Sequence, residues 1–113
     1  MPFKVRSERE GDVFVVAVEG ELDMSTAPQL ERALAASLGD ASAAVLIDLS
    51  SCEFIDSTGI ALIVRSWRRL DGDGRFALCG VGNQVERVLE ITGLESTIPN
   101  HPSREEALAR LRS

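Results

Sequence analysis

The sequence predicts a single α/β domain: a small mixed β-sheet packed against amphipathic helices. Two observations carry this. Three short apolar runs of strand length, Val13–Val18, Val45–Leu49 and Phe76–Cys79, punctuate the chain. Between them lie stretches whose apolar residues recur at helical spacing. The 113 residues suffice for one such core and not for two, so residues 1–113 are read as one domain.

Taken in order, Phe3-Lys4-Val5-Arg6 suits a short edge strand, and Gly11-Asp12 a hairpin turn. Val13–Val18 is a continuous β-branched and aromatic run, the pattern of a well-buried strand. Gly20-Glu21-Leu22-Asp23 leaves that strand. Thr26 then suits a helix N-cap, with Gln29 three residues on, as a capping box requires, and Pro28 in the first turn. Ala27, Leu30, Leu34 and Leu38 share one face of this helix, which ends at Gly39-Asp40.

Val45–Leu49 is the second core strand, and residues 50–56 are expected to be a loop. A helix follows, capped by Asp56 or Ser57, with Ile60, Ile63, Val64, Trp67 and Leu70 along one stripe. Arg65, Arg68 and Arg69 suit the negative end of its dipole. Asp71-Gly72-Asp73-Gly74 turns the chain into the third core strand, at Arg75–Cys79. A helix over Asn83–Thr92 points Val85, Val88 and Leu89 inward and ends at Gly93, a left-handed cap. Residues 96–99 suit a last short strand, and Ser103 with Glu106 a capping box opening a final helix. The strand-helix-strand unit from 45 to 79 predicts a right-handed parallel crossover.

Composition removes several functions. The net charge is −6 and no basic tract exists, so nucleic-acid binding is not expected, because it rests on phosphate neutralisation. Residues 1–56 hold 11 acids and 4 bases, residues 57–113 hold 7 and 8, so one half could present an acidic face. Val13–Val18 is too short to span a bilayer, and the first residues lack the apolar core of a signal peptide; direct membrane insertion is not expected, and the cytoplasm is. Cys52, Cys79 and the single His101 make neither a disulfide framework nor a zinc site; the thiols are expected to be buried. No glycine-rich phosphate loop or nucleophile elbow is present. His101, between Asn100 and Pro102, reads as a solvated loop residue rather than the base of a triad with Ser57. No catalytic residue, metal or cofactor is expected.

The informative stretch is Phe54-Ile55-Asp56-Ser57-Thr58-Gly59-Ile60. Alone it is a capped helix start with a glycine that admits close approach of another backbone. It occurs together with Gly20-Glu21-Leu22-Asp23-x-x-Thr26-Ala27-Pro28-x-Leu30 and Val85-x-Arg87-x-Leu89-x-x-Thr92-Gly93-Leu94. In this order and spacing the three motifs resemble the STAS domain, and more narrowly the bacterial anti-sigma factor antagonists. The resemblance runs from about Val13 to Leu111.

It implies a protein that binds an anti-sigma factor which is also a serine kinase of the GHKL type. It implies phosphorylation at the first hydroxyl after the aspartate, Ser57, with Thr58 as the alternative, and reversal by a PP2C-type phosphatase. Asp23, Thr26, Asp56, Ser57, Thr58 and Gly59 would form the partner-binding surface. The other reading is a STAS subunit of a lipid-transport or stress-signalling complex with no sigma-factor role. Two positions depart from the family pattern: Ala61 stands where glycine is frequent, and Gly82-Asn83 where Ser-Pro is frequent.

Overall fold

The computed structural model describes residues 2–39, 43–70 and 74–112. The helix end expected at Asp40, the inward placement of Leu38 and the Asp71-Gly72-Asp73 turn lie outside what it describes. The elements run β1 (Lys4–Glu10), β2 (Val13–Leu22), α1 (Ala27–Leu38), β3 (Ala44–Ile55), α2 (Ser57–Leu70), β4 (Phe76–Cys79), α3 (Asn83–Thr92), β5 (Asn100–His101) and α4 (Arg104–Arg112). The five strands form one sheet in the order β1-β2-β3-β4-β5. β1 is antiparallel to β2, and the other pairs are parallel, so the sheet is mixed as expected.

Alternation along the strands divides the core. Val16, Val18, Val45, Ile47, Leu49, Phe76 and Leu78 face α1, α2 and α3, meeting Leu30, Leu34, Ile63, Val85 and Leu89. Val13, Val15, Ala44, Leu46, Ala77 and Cys79 face the other way and meet Ala107 and Leu108 of α4. Both cysteines are buried. β1 is an edge strand whose charged side chains discourage pairing with another chain.

Four boundaries differ from the sequence reading. β1 continues to Glu10, because its polar residues pair with β2 in unbroken register from Lys4↔Glu19 to Glu10↔Val13. β2 continues to Leu22 and β3 to Ile55, where a loop over 50–56 was expected. Irregularities at Ala17/Glu19 and Gly20/Glu21 let the pair run on to Leu22↔Ile55. They also break the two-residue alternation, so the buried positions become Cys52 and Ile55. In place of a strand at 96–99, Leu94–Ser96 forms a 3-10 turn and the strand is Asn100–His101. His101 is thereby half-buried beside Cys79 rather than in a loop.

On α2 the inward residues are Gly59, Ile60, Leu62, Ile63, Ser66 and Leu70. Val64 and Trp67, expected in the buried stripe, are half-buried. Ser66 tolerates burial because its hydroxyl donates to the Leu62 carbonyl at 2.9 Å. α3 has the expected bounds, and Gly93 caps it in the left-handed conformation at φ 77°. Ser103 accepts from the Glu106 amide through its hydroxyl at 3.2 Å, the N-cap half of the expected box.

On the α4 side, Arg104 donates to Asp48 Oδ2 through Nε (3.0 Å) and a terminal nitrogen (2.9 Å), and to Glu8 Oε1 at 3.2 Å. The Ser50 hydroxyl and amide donate to Asp48 Oδ1. Burial raises the Asp48 pKa, but these donors and the guanidinium outweigh it and hold the carboxyl below its usual range.

Candidate functional site

Parallel pairing of β2 with β3 brings the residues after both strands to one edge of the sheet. Leu22 and Ile55 are register partners. The next residue, Asp56, donates its amide to the Leu22 carbonyl at 3.1 Å. The Asp23 turn and the Ser57 helix start are therefore neighbours across one strand spacing, about 4.8 Å, although 33 positions separate Leu22 from Ile55.

Asp56 is the N-cap of α2. Its Oδ1 accepts from the amides of Thr58 (2.9 Å) and Gly59 (3.1 Å), and its carbonyl accepts from Ile60 at 3.0 Å. Of the two residues left open as caps, Asp56 fills the role and Ser57 occupies the first helical position, exposed. Thr58 is half-buried and Gly59 buried. A Cβ on Gly59 would lie 2.8 Å from both Ile55 Cγ1 and Leu22 Cγ. The atoms that approach are side chains, not the backbone expected, and glycine lets the first turn of α2 rest directly on the Leu22 and Ile55 side chains.

The Asp23 turn is built differently from the expected capping box. Thr26 stands before the first helical residue, but its hydroxyl caps nothing in α1. It donates to the Glu21 carbonyl at 2.8 Å and accepts from the Asp23 amide at 2.9 Å, closing the turn on itself. The Gln29 amide goes to the Thr26 carbonyl oxygen instead, at 3.0 Å. Asp23 Oδ1 accepts from the Ser25 hydroxyl (2.8 Å) and from the amides of Ser25 (3.0 Å) and Thr26 (3.2 Å). The Ser25 hydroxyl above all keeps the Asp23 carboxyl below its ordinary pKa. Glu21, Asp23, Glu53 and Asp56 all come from these strand ends, so the edge is acidic.

Beside Ser57 a groove of about 310 Å³ opens between α2 and α3, lined by Ile55, Asp56, Ser57, Ile60, Ala61, Val88 and Thr92. Ala61 contributes its methyl to this wall. Ile91, 78% exposed, lies one residue from Thr92. Sequence reasoning missed two further participants. Ser25 could have been read from the Asp-x-Ser-Thr order, a side-chain turn signature. Gln84, whose amide brackets Ile55, carries no local signal, because its partner lies 29 residues away.

Among the described residues, no group of three or more His, Cys, Asp or Glu could hold a metal ion, and no helix is long and apolar enough to cross a membrane. A mixed sheet with three crossover helices on one face, and an acidic edge carrying an exposed serine at a helix start, make up a small α/β domain.

The STAS domain family model matches residues 4–107, and this chain belongs to the STAS domain family. Within that family it falls in the anti-sigma factor antagonist group. The anti-sigma-B factor antagonist of Staphylococcus aureus is 31% identical over 96 residues, covering 84% of this chain and 89% of that protein. An anti-sigma factor antagonist from Mycobacterium paratuberculosis superposes with a TM-score of 0.92 at 35% identity, over 99% of this chain and 96% of the other. An anti-sigma factor antagonist domain protein from Planctomyces limnophilus gives 0.84 at 30% identity, over 96% and 98%.

Proposed function

We propose that this chain binds an anti-sigma factor serine kinase of the GHKL type and is switched off by phosphorylation of Ser57. Asp23, Thr26, Asp56, Ser57, Thr58 and Gly59 form the recognition surface. A PP2C-type phosphatase restores the binding form. The chain is a binder and a substrate, with no turnover of its own.

One observation carries this reading: Ser57 is exposed at the first position of α2, between an acidic turn and an apolar groove. A helix N-terminus tolerates a phosphate, since its amides and dipole favour negative charge, so the fold survives modification. The phosphate adds about −1.5 to −2 charge next to the Asp56 carboxylate and the Ile55, Ile60 and Ala61 surface. A partner seated on that surface would have to dehydrate the phosphate or face it with apolar groups, and either weakens binding. A coupling of about 1–3 kcal/mol corresponds to an affinity change of about 5- to 150-fold.

The test is intact mass after incubation with a cognate kinase and ATP, followed by site mapping. One phosphate on Ser57, abolished by Ser57→Ala and retained by Thr58→Ala, is expected. Phosphate on Thr58 would move the switch by one residue. Tight binding to an active kinase without phosphorylation would remove the switch and leave a constitutive binder. Esterase or ATPase activity that survives purification and disappears in Ser57→Ala would overturn the non-catalytic reading.

A further inference from the structure

We infer that Gln84 is the positioning residue of the Ser57 corner: its side-chain amide stands in for the missing end of β4 and locks α3 to the residue before the Asp56 cap. Its effect on phosphorylation rests on the function proposed above; its effect on the corner does not.

β4 pairs with β3 only as far as Asp48↔Cys79, so among the described residues the β4-facing edge of β3 beyond Asp48 has no strand beside it. In a parallel ladder the N–H and C=O of one residue point to the same neighbour, and the next residue points to the other. Ile55 and Asp56 follow this rule. The Asp56 amide goes to Leu22 of β2. The Ile55 amide donates to Gln84 Oε1 at 2.9 Å, and the Ile55 carbonyl accepts from Gln84 Nε2 at 3.3 Å. Only this orientation of the amide satisfies both groups. One side chain thereby supplies the acceptor and the donor that two residues of a neighbouring parallel strand would have supplied.

The bracket falls where it matters for the switch. Ile55 is followed directly by Asp56, whose carboxylate holds the amides of Thr58 and Gly59 around Ser57. On the α3 side, Val88 and Thr92 lie four and eight residues beyond Gln84, on the same helical face, and form the wall of the groove opposite Ile60 and Ala61. Val85 and Leu89, both buried, anchor α3 to the core alongside. Core packing fixes the distance of α3 from the sheet. The amide bracket fixes its alignment with the Ser57 corner, so the hydroxyl and the groove are presented together. Asparagine would be one methylene too short to make both bonds. Glutamate could still accept from the Ile55 amide but could not donate to the carbonyl.

The experiment compares wild type with Gln84→Ala, Gln84→Glu and Gln84→Asn, using Leu108→Ala on the opposite face as a control for general destabilisation. Amide hydrogen exchange by NMR is the primary readout and needs no kinase. Gln84→Ala and Gln84→Asn should lose protection at Ile55 and, through the Asp56 cap, at Thr58 and Gly59. Gln84→Glu should keep it at Ile55 alone. Leu108→Ala should leave all three unchanged relative to the rest of the sheet. Phosphorylation of Ser57 is the second readout. Displacing a reacting group costs about 10- to 100-fold, and kcat/KM should fall in that range for Gln84→Ala while Leu108→Ala stays near wild type. Unchanged protection at Thr58 and Gly59 in Gln84→Ala would overturn the inference. So would an unchanged kcat/KM once Ile55 protection is lost. A wild-type protein that no kinase phosphorylates defeats the proposed function, and the exchange measurements still decide the role of Gln84.

Discussion

Gly59→Ala separates two opposing effects at the switch helix. At an open helical position the substitution stabilises, by at most about 1 kcal/mol. At this position the new Cβ would stand 2.8 Å from Ile55 Cγ1, 2.8 Å from Leu22 Cγ and 3.0 Å from Leu22 Cδ2. Leu22 and Ile55 are both fully buried, so neither can swing into solvent. Overpacking of this kind costs about 1–3 kcal/mol, and two trapped neighbours place it in the upper half of that range. The net is a loss of about 1–2 kcal/mol, after the propensity gain is subtracted. For a domain of this size each kcal/mol moves the melting point by about 4–5 °C, so Tm should fall by about 4–10 °C. Ala61→Gly, on the exposed side of the same helix, should lose about 1 kcal/mol from propensity alone. Thermal and urea unfolding followed by circular dichroism reads both. A Gly59→Ala protein melting at or above wild type would refute the close-approach argument.

Three further outcomes are expected. Ser57→Asp should change stability by less than about 0.5 kcal/mol, since a carboxylate suits the first turn of a helix, yet should weaken kinase binding in a titration; a large loss of Tm would count against the exposed placement of Ser57. The folded pKa of Asp48 lies below the ordinary 3.8, so its contribution is complete above that value and is lost as pH falls through the lower, folded one. Arg104→Met should accordingly lose about 1–2 kcal/mol at neutral pH, discounted for the partly exposed guanidinium, and its deficit should shrink in acid; an acid-independent deficit would contradict the ion pair. Burial and the neighbouring Asp48 charge push the Cys79 thiol up to about 12, and burial raises Cys52; both should resist a thiol reagent until the chain unfolds, and native labelling as fast as in urea would refute their burial.

The parts of the fold readable in the sequence are those where one local signal decides. β-branched runs marked the centres of β2, β3 and β4, and Gly93 marked the end of α3 because only a left-handed residue closes that helix. The strand extensions were hidden, since Ser50, Ser51 and Glu53 are polar and the irregular pairing with β2 replaced the two-residue alternation. Val64 and Leu62 exchanged roles because an apolar stripe on a helix has a width that its sequence does not aim. At the site, a cap at Asp56 or Ser57 and a close approach at Gly59 were legible, but not which residue caps, nor that side chains rather than a backbone press on the glycine. The turn-closing role of Thr26 was not, because its hydroxyl reaches back to Glu21 rather than forward into α1. Gln84 was invisible for a different reason: its contact is tertiary and leaves no periodicity behind.

The parallel arrangement of β2, β3, β4 and β5 also sorts the loops by tolerance. The connections leaving β2, β3, β4 and β5 emerge at the edge that holds Asp23 and Ser57, and the Gly11-Asp12 hairpin emerges at the other. Among the described residues, a Cβ at Gly11 or Gly74 would meet nothing within 4 Å, although both glycines have positive φ and the Gly11 carbonyl accepts from Arg9 Nε at 3.1 Å. A fluorophore or a short insertion at the Gly11-Asp12 hairpin should therefore leave the Asp23 and Ser57 edge in shape. The molecule is thereby a plug with a shaped face and a more permissive back.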